Sequence, residues 1–160
     1  MPILINKCLA RYLLGEPASV NSAQDNLFHQ EVEGYTVEDA SATVIRFESG
    51  SMAVIAATNG AVPMRWESNW QVHLPGLTAD FADANHALFN RTDCVPPEAS
   101  PFTSDKNLYL AETQDLLAAI RENRSPAVPI EEGVRSLNLV LAAAQSAKQG
   151  HTLAVVPPPL

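Results

Sequence analysis

Histidine and cysteine are the residues of this sequence with the widest range of chemistry, and their spacing limits what they can do. The histidines stand at four separate positions: His29, His73, His86 and His151. None forms the HxxxH or HExxH pair with which a helix binds zinc. His29 and Glu31 could share a metal ion on an extended segment, but two ligands without a third also fit a solvated loop. Cys8 and Cys94 form no CxxC pair, and we expect free thiols in a reducing cytosol.

Glycine spacing excludes the usual phosphate-binding loops. No two of the seven glycines lie closer than ten residues, whereas GxGxxG and P-loop motifs need glycines about two to five residues apart. There is also no GxSxG elbow; Asp80 and Asp83 fit turn positions, and the Glu131–Glu132 pair fits the start of a helix. The sequence therefore predicts no catalytic, cofactor-binding or metal-binding residue in this chain.

Four residues remain as candidates for contact with a substrate or with a second copy of the chain: Arg46, Trp66, Trp70 and His73. The two tryptophans share one face of a predicted strand over residues 64–74, and His73 lies on its polar face. Tryptophans on a strand face usually belong to a core, and the alternative is a sheet face covered by a partner. His73 is either a ligand or proton donor, or an ordinary surface histidine. Arg46 shares a face of another predicted strand, residues 42–48, with Val44.

Length and charge narrow the class of protein. The 160 residues, with a mass of 17.2 kDa, fit one domain. The net charge is −8 and the basic residues form no run or stripe, which argues against nucleic acid and anionic membranes as partners. No apolar run reaches the ~18–20 residues of a membrane helix. Lys7 and Arg11 interrupt the apolar N-terminus, so we predict no signal peptide and expect a cytoplasmic protein.

Periodicity predicts strands in the first part of the chain and helices in the last third. The predicted elements are a helix over 4–14, an extended segment over 18–28, a loop over 29–40, a hairpin of strands 42–48 and 52–58, strands 64–74 and 77–81, a long loop over 90–104, helices 107–122 and 130–149, and a strand over 151–156. Strand 52–58 is apolar on both faces, which predicts a place inside a sheet. Ser104 or Asp105 is the expected cap of the second helix. One stripe of the third helix carries Ile130, Val134, Leu137, Leu141 and Ala144.

This order of elements predicts an α+β fold. We expect a mainly antiparallel, open-faced sheet with helices packed on one face, because hairpins followed by helices commonly segregate in this way.

Several segments then point to a known family. They are LARYLLGEPASV at 9–20, VEDASATVIRFESGSMAVIAAT at 37–58, DLLAAIREN at 115–123, SPAVP at 125–129 and EEGVRSLNLVLAAAQSA at 131–147. In this order and spacing they resemble the C-terminal domain of the Gfo/Idh/MocA oxidoreductases.

The resemblance implies the second half of a two-domain enzyme. In that family an N-terminal Rossmann domain binds NAD or NADP and carries the catalytic lysine, while the C-terminal domain forms part of the substrate site and commonly builds a dimer through its open sheet. The family's histidine motif, placed in register with residues 11–15, puts its histidine on Ile5 and its aspartate on Cys8, so no catalytic residue carries over. The family's Gly-Thr-x-Gly turn is here Leu74-Pro75-Gly76-Leu77.

We therefore expect a substrate-binding and dimerisation domain of a sugar or polyol dehydrogenase. It would be inactive in redox chemistry by itself, and NAD or NADP would belong to a full-length relative. We assign one domain over residues 1–160, with a divergent N-terminus over 1–8 that suggests a truncated or frame-shifted reading frame, and a proline-rich tail over 157–160. Its expected partners are a second copy bound through the sheet face and a Rossmann domain in a longer product. The alternative is a stand-alone ligand-binding or oligomerisation module that uses the open sheet face.

Overall fold

The computed structural model describes the backbone of residues 2–159 and the side chains of residues 7–159. The elements in chain order are α1 (Pro2–Leu14), β1 (Pro17–Asp25), β2 (Ala40–Phe47), β3 (Met52–Thr58), β4 (Trp70–Leu74), β5 (Leu77–Phe81), β6 (His86–Arg91), β7 (Glu98–Thr103), α2 (Leu108–Glu122), α3 (Ile130–Gln149) and β8 (Leu153–Ala154). They divide into two compact units. Unit 1 contains the residues up to Pro63 and those from Val128 onward, and unit 2 is Met64–Ala127. The assignment of a single domain stays a prediction.

Unit 1 is a four-stranded antiparallel sheet with helices on one face. Its strand order is β3-β2-β1-β8, and α1 and α3 pack on the sheet. Successive side chains of each strand point to opposite faces of the sheet, so one set lies in the core and the other set lies on the open face. The core contains these buried side chains: Ala10, Val20, Ile45, Phe47, Ile55, Leu139, Ala143 and Val155.

The hairpin of β2 and β3 is confirmed. Gly50 has φ +85 in the connecting turn, a backbone conformation that other residues rarely adopt, so its position fixes the register of the two strands. β3 stands at the end of the strand order rather than inside the sheet, which corrects the expectation from its composition. Both of its faces are apolar because the second face belongs to the open surface of the sheet.

Unit 2 is an antiparallel meander, β4-β5-β6-β7, followed by α2. The cap of α2 is Asn107, whose side-chain oxygen accepts a hydrogen bond from the N–H of Leu110 at 3.0 Å, and not Ser104 or Asp105. The expected side chains were of the right type, but each stands too early to reach the free N–H groups of the first turn.

The predicted loop over 90–104 was wrong, because most of it lies in β6 and β7. β7 is exposed along its whole length and contains Pro101, so it shows none of the alternation that identifies a half-buried strand. The predicted strand over 64–74 was too long. β4 begins only at Trp70, and Met64 has φ +60, which is incompatible with a strand.

The apolar stripe of α3 does not face the sheet. Ile130, Val134, Leu137 and Leu141 are exposed, and the buried residues are Ser136, Leu139, Ala143 and Ser146. Small side chains let the helix lie close to the strands. The Ser146 hydroxyl accepts from the N–H of Ser22 at 3.1 Å and donates to the carbonyl of His151 at 2.7 Å, which satisfies this polar group inside the core.

The α+β class with antiparallel strands and packed helices is confirmed, and its strands are shared between two sheets. In unit 1 the helices cover the face that carries Val20 and Ile45. None of the helices in the described part of the chain has the length and apolar composition needed to cross a membrane.

Candidate functional site

The open face of the unit 1 sheet is a surface of small and apolar side chains with an arginine in one end row and an aspartate in the other. Four cross-strand rows form it: Ser19–Arg46–Met52, Asn21–Val44–Val54, Ala23–Ala42–Ala56 and Asp25–Ala40–Thr58. Val54 is 68% exposed and Met52 is 56% exposed. The two rows between these ends carry no charged side chain. Such a contiguous apolar surface is typical of an interface.

The unit 2 sheet has one aromatic face. The Trp70 and Phe81 rings stack with centroids 5.0 Å apart, Phe89 meets Phe81 edge-on at 6.0 Å, and Phe102 meets Phe89 at 6.4 Å. This chain of rings crosses all four strands and joins them by ring contacts. Trp70 therefore packs within its own sheet.

The other face of the unit 2 sheet is polar. The Asp80 carboxylate accepts hydrogen bonds from the side-chain amides of Gln71 and Asn90, the latter at 2.9 Å. His73 lies beside Thr78, with Nδ1 3.3 Å from its hydroxyl oxygen. A groove of about 600 Å³ lies at the end of this face where β5 leads into β6.

His86 borders the groove and is held by Asp83. Its Nδ1 lies 2.8 Å from a carboxylate oxygen of Asp83, which also accepts from the N–H groups of Asn85 and His86. The Asn85 N–H and the imidazole lower the pKa of the Asp83 carboxyl. An ionised carboxylate only accepts, so Nδ1 of His86 donates, and in the neutral ring Nε2 keeps its lone pair.

A second histidine and aspartate pair lies in unit 1. Asp39 is buried and accepts from the N–H groups of Leu27 at 2.7 Å, Phe28 at 2.9 Å and His29 at 3.0 Å. Its carboxylate also lies 2.7 Å from Nδ1 of His29, whose ring stacks on Tyr35. Burial alone would raise the pKa of Asp39, but these four hydrogen bonds outweigh it and hold the pKa below its usual value.

We expect Asp39→Asn to loosen the loop that follows β1. An amide offers one acceptor oxygen where the carboxylate uses two, and its NH₂ group would face N–H donors. The amides of residues 27–29 should exchange with solvent at least about tenfold faster, and the melting temperature should fall.

The pH dependence of the same site has a definite sign. The folded pKa of Asp39 is depressed, so its stabilisation is present at neutral pH and is lost as the pH falls below about 4. The control is Asp25→Asn, since the Asp25 carboxylate accepts from Asn26 at an exposed position. Unchanged exchange in the Asp39 variant would contradict this role.

The four predicted site residues do not form one cluster. Arg46 lies in unit 1, on the open face of β2. Trp70 and His73 lie on opposite faces of β4, as predicted for the longer strand. Trp66 precedes β4 and is exposed. Whether any of them contacts a substrate or a second copy stays a prediction.

Sequence reasoning missed both histidine and aspartate pairs. Asp83 was interpreted as a turn residue without a partner, although the Asp-x-x-His spacing to His86 was a usable signal. His29 and Asp39 are ten residues apart, and only the fold of the loop joins them. Among the side chains of residues 7–159, no three His, Cys, Asp or Glu residues gather closely enough to hold a metal ion.

Comparison with known proteins identifies the domain. Residues 80–155 match the family described as "Oxidoreductase family, C-terminal alpha/beta domain", which is the Gfo/Idh/MocA C-terminal domain. The chain contains a Gfo/Idh/MocA C-terminal domain. The match includes the segments from residue 115 onward that carry the resemblance in sequence.

Solved Gfo/Idh/MocA-type structures extend the likeness over almost the whole chain. An aldose-aldose oxidoreductase from Caulobacter crescentus, complexed with glycerol, is 24% identical with a TM-score of 0.76, over 94% of this chain and 45% of that one. A levoglucosan dehydrogenase in complex with NADH is 18% identical with a TM-score of 0.86, over 98% and 49%. An NAD binding oxidoreductase from Klebsiella pneumoniae is 17% identical with a TM-score of 0.83, over 98% and 50%. At these identities the likeness establishes the fold.

The chain spans about half the length of these solved structures. No curated protein sequence matches it. The family's histidine would fall on Ile5, whose side chain lies outside the described set.

Proposed function

We propose that this chain is the substrate-binding and dimerisation domain of a sugar- or polyol-oxidising Gfo/Idh/MocA enzyme, and that it transfers no hydride by itself. The observation that carries the proposal is the family match over residues 80–155, together with a fold shared over at least 94% of the chain with oxidoreductases about twice its length. One of those relatives is a levoglucosan dehydrogenase with NADH bound. The wide glycine spacing in this chain supports a nicotinamide site in another domain.

A binding measurement tests the redox part. We expect no saturable binding of NADH to the purified chain by titration calorimetry, and no reduction of NAD or NADP in the presence of simple sugars and polyols. Micromolar NADH binding would contradict the proposal. The intact mass of the native gene product, near 17 kDa or well above it, then identifies the form in which the domain works.

The open face of the unit 1 sheet supports a dimer. It presents apolar rows on neighbouring strands, and a two-fold axis would bring the same face of a second copy against them. Burying the Arg46 guanidinium unpaired would be costly, so this interface requires a carboxylate of the second copy opposite it. The expected product is a homodimer through this face.

We expect Val54→Glu to convert a dimer into a monomer. Val54 is a largely exposed side chain of this face, and a carboxylate in its place would be buried at the interface without a partner. Light scattering after gel filtration should give twice the 17.2 kDa chain mass for the wild type and 17.2 kDa for the variant, with the dimer dissociation constant raised by at least about a hundredfold.

The matched control places the same charge on the helix side of unit 1. Tyr12 on α1 is 86% exposed, and Tyr12→Glu should leave the dimer intact. A wild-type chain that is monomeric at high concentration, or a dimer broken by Tyr12→Glu alone, would show that the sheet face is not the interface.

The second candidate is a stand-alone ligand-binding module. The groove of unit 2 favours it, because a concave volume of about 600 Å³ with a mainly apolar lining also contains the hydrogen-bonded carboxylate of Asp80 and the positioned imidazole of His86. Binding of a small ligand by the isolated chain, with no nicotinamide present, would support this candidate.

A further inference from the structure

One cross-strand row of the unit 2 sheet consists mainly of aromatic rings. In register across the four strands it contains Trp70, Phe81, Ala87 and Phe102, and all four residues border the groove at this end of the sheet. Phe102 is 54% exposed, and Trp70 and Phe81 are half-buried, so the row is open to a ligand. Neighbouring strands lie about 4.8 Å apart, so this aromatic row spans about 14 Å from β4 to β7.

Unused hydrogen-bond donors lie in and beside the aromatic row. The indole N–H of Trp70 has no acceptor among residues 7–159. Gln71 donates one amide N–H to Asp80, and its second amide N–H is left over. The amide of Asn69 and the hydroxyl of Thr103, which also line the groove, make no hydrogen bond within the same described range. This surface therefore fits a ligand that combines apolar rings with carbonyl acceptors.

Three consecutive prolines after β8 provide this combination. Pro157, Pro158 and Pro159 have no N–H to donate, so this proline segment offers apolar rings and carbonyl acceptors. Consecutive prolines favour a polyproline II helix, which rises about 3.1 Å per residue, so residues 156–159 extend over about 12 Å. The length of the segment is therefore close to the width of the aromatic row.

The proline segment begins at a fixed point of unit 1. Val155 belongs to the core, and the side-chain amide of Asn138 donates to the carbonyl of Val156 at 2.8 Å. Beyond this point Pro157 and Pro159 are exposed. Because its base is held and its proline rings restrict the backbone, the segment loses little conformational entropy when it binds.

We propose that the aromatic row binds the proline segment of a second copy of the chain. Aromatic surfaces recognise polyproline II segments because their rings pack on proline rings, while a donor such as the Trp70 indole N–H meets a carbonyl. In a two-fold dimer each copy gives its segment to the other, so the contacts close within two chains. A dissociation constant of about 1 mM suffices, since the effective concentration between linked sites is of that order. The exchange between copies rests on the proposed dimer, whereas recognition of the segment by the row does not.

A peptide titration tests the recognition. The ¹⁵N-labelled chain without residues 157–160 is titrated with a capped peptide that has the sequence of residues 155–160, and amide chemical shifts are followed. The control peptide has alanine at the three proline positions. We expect saturable shifts at residues 70, 81, 87 and 102 with the proline peptide. The alanine peptide should bind at least about tenfold more weakly, because it is not preorganised and carries unpaired N–H groups.

Variants of the aromatic row identify the groups responsible. Phe102→Ala removes the most exposed ring of the row and should weaken peptide binding at least about tenfold. The control is Tyr109→Ala, which removes an 85% exposed ring from α2 of the same unit and should leave the affinity unchanged. Trp70→Phe keeps a ring against Phe81 but removes the indole N–H, so it should weaken binding severalfold. This mild change gives a second measurement if Phe102→Ala disturbs the sheet.

A mixing experiment tests the exchange between copies. The ¹⁵N-labelled chain without residues 157–160 keeps the row, and the unlabelled Phe102→Ala chain keeps the proline segment. Mixing them should shift the amides of the labelled row, and removing residues 157–160 from the unlabelled chain as well should abolish these shifts. Equal binding of the two peptides, or shifts away from the row, would overturn the recognition. A chain that stays monomeric, or a dimer whose row does not shift on mixing, would overturn the exchange, while the peptide titration still decides the recognition.

Discussion

Replacing Lys7 by methionine is expected to stabilise the protein by about 3 kcal/mol at pH 7. Lys7 lies on α1 with 0% of its surface exposed, and its Nζ has no hydrogen-bond partner in the described structure. Burial lowers its pKa from 10.5 to about 8, partly offset by the charge of Glu38. A shift of this size, at 1.36 kcal/mol per pH unit, corresponds to about 3 kcal/mol of penalty on the charged form. Methionine has similar length and no charge.

The same residue predicts how stability depends on pH. Between about pH 8 and 10.5 the unfolded chain keeps the Lys7 proton while the folded chain has lost it, so the free energy of unfolding should rise with pH. Below pH 8 both states hold the proton and the penalty is constant. Comparison with Lys7→Met isolates this effect, because every other titratable group, Glu38 included, is present in both proteins.

Chemical denaturation at pH 7 and pH 10 measures both effects. Lys7→Met should show a higher midpoint at pH 7 and should lose the rise between the two pH values. The control is Lys106→Met, which removes the same charge from an exposed position and should change the unfolding free energy by less than about 0.5 kcal/mol. A Lys7→Met variant that is no more stable than the wild type would show that the ammonium has a partner or reaches water.

Replacing Arg11 by alanine is expected to have the largest destabilising effect, about 2–3 kcal/mol. Its side chain is 5% exposed and joins α1 to α3. Nη2 donates to the carboxylates of Glu16 at 2.8 Å and Glu132 at 3.0 Å, and Nη1 donates to the Ser136 hydroxyl at 3.1 Å. The two glutamates are each about two-fifths exposed, so water screens these ion pairs. The expected loss of unfolding free energy is therefore smaller than for a fully buried ion pair.

The loss of stability in Arg11→Ala should come from the missing hydrogen-bond geometry of the guanidinium as well as from the missing charge. Without Arg11, Arg135 alone would face the Glu16 and Glu132 carboxylates, at 3.4 and 3.5 Å. Arg11→Lys keeps the charge but not the planar set of donors, so its stability should fall between the wild type and the alanine variant.

Equilibrium unfolding in urea provides the measurement for this network. Arg91→Ala is the control, because Arg91 pairs with Asp93 and Glu98 in an exposed position and its loss should cost less than about 0.5 kcal/mol. If Arg11→Ala were as mild as Arg91→Ala, the link between α1 and α3 would contribute no more than a surface ion pair.

Local sequence patterns determined much of this protein. The hairpin of β2 and β3 follows from the alternation in β2, the turn at Gly50 and the apolar run of β3, and the ends of α1 and α3 follow from Gly15 and Gly150, both with positive φ. The family, too, could be identified from short segments in the right order, and the match over residues 80–155 confirms it. These features depend on residues close together in the chain.

Tertiary contacts decided the rest. β7 has no alternation because both its faces are exposed, so only pairing with β6 makes it a strand. The side of α3 that packs on the sheet is the one with small residues. Small side chains allow the helix and the strands to approach closely, and this packing determines which side is buried even though the other side has more large apolar residues. The pairing of His29 with Asp39 and the burial of Lys7 likewise depend on residues that are brought together only when the chain folds. Local sequence patterns describe residues that are close along the chain, so they do not predict these contacts.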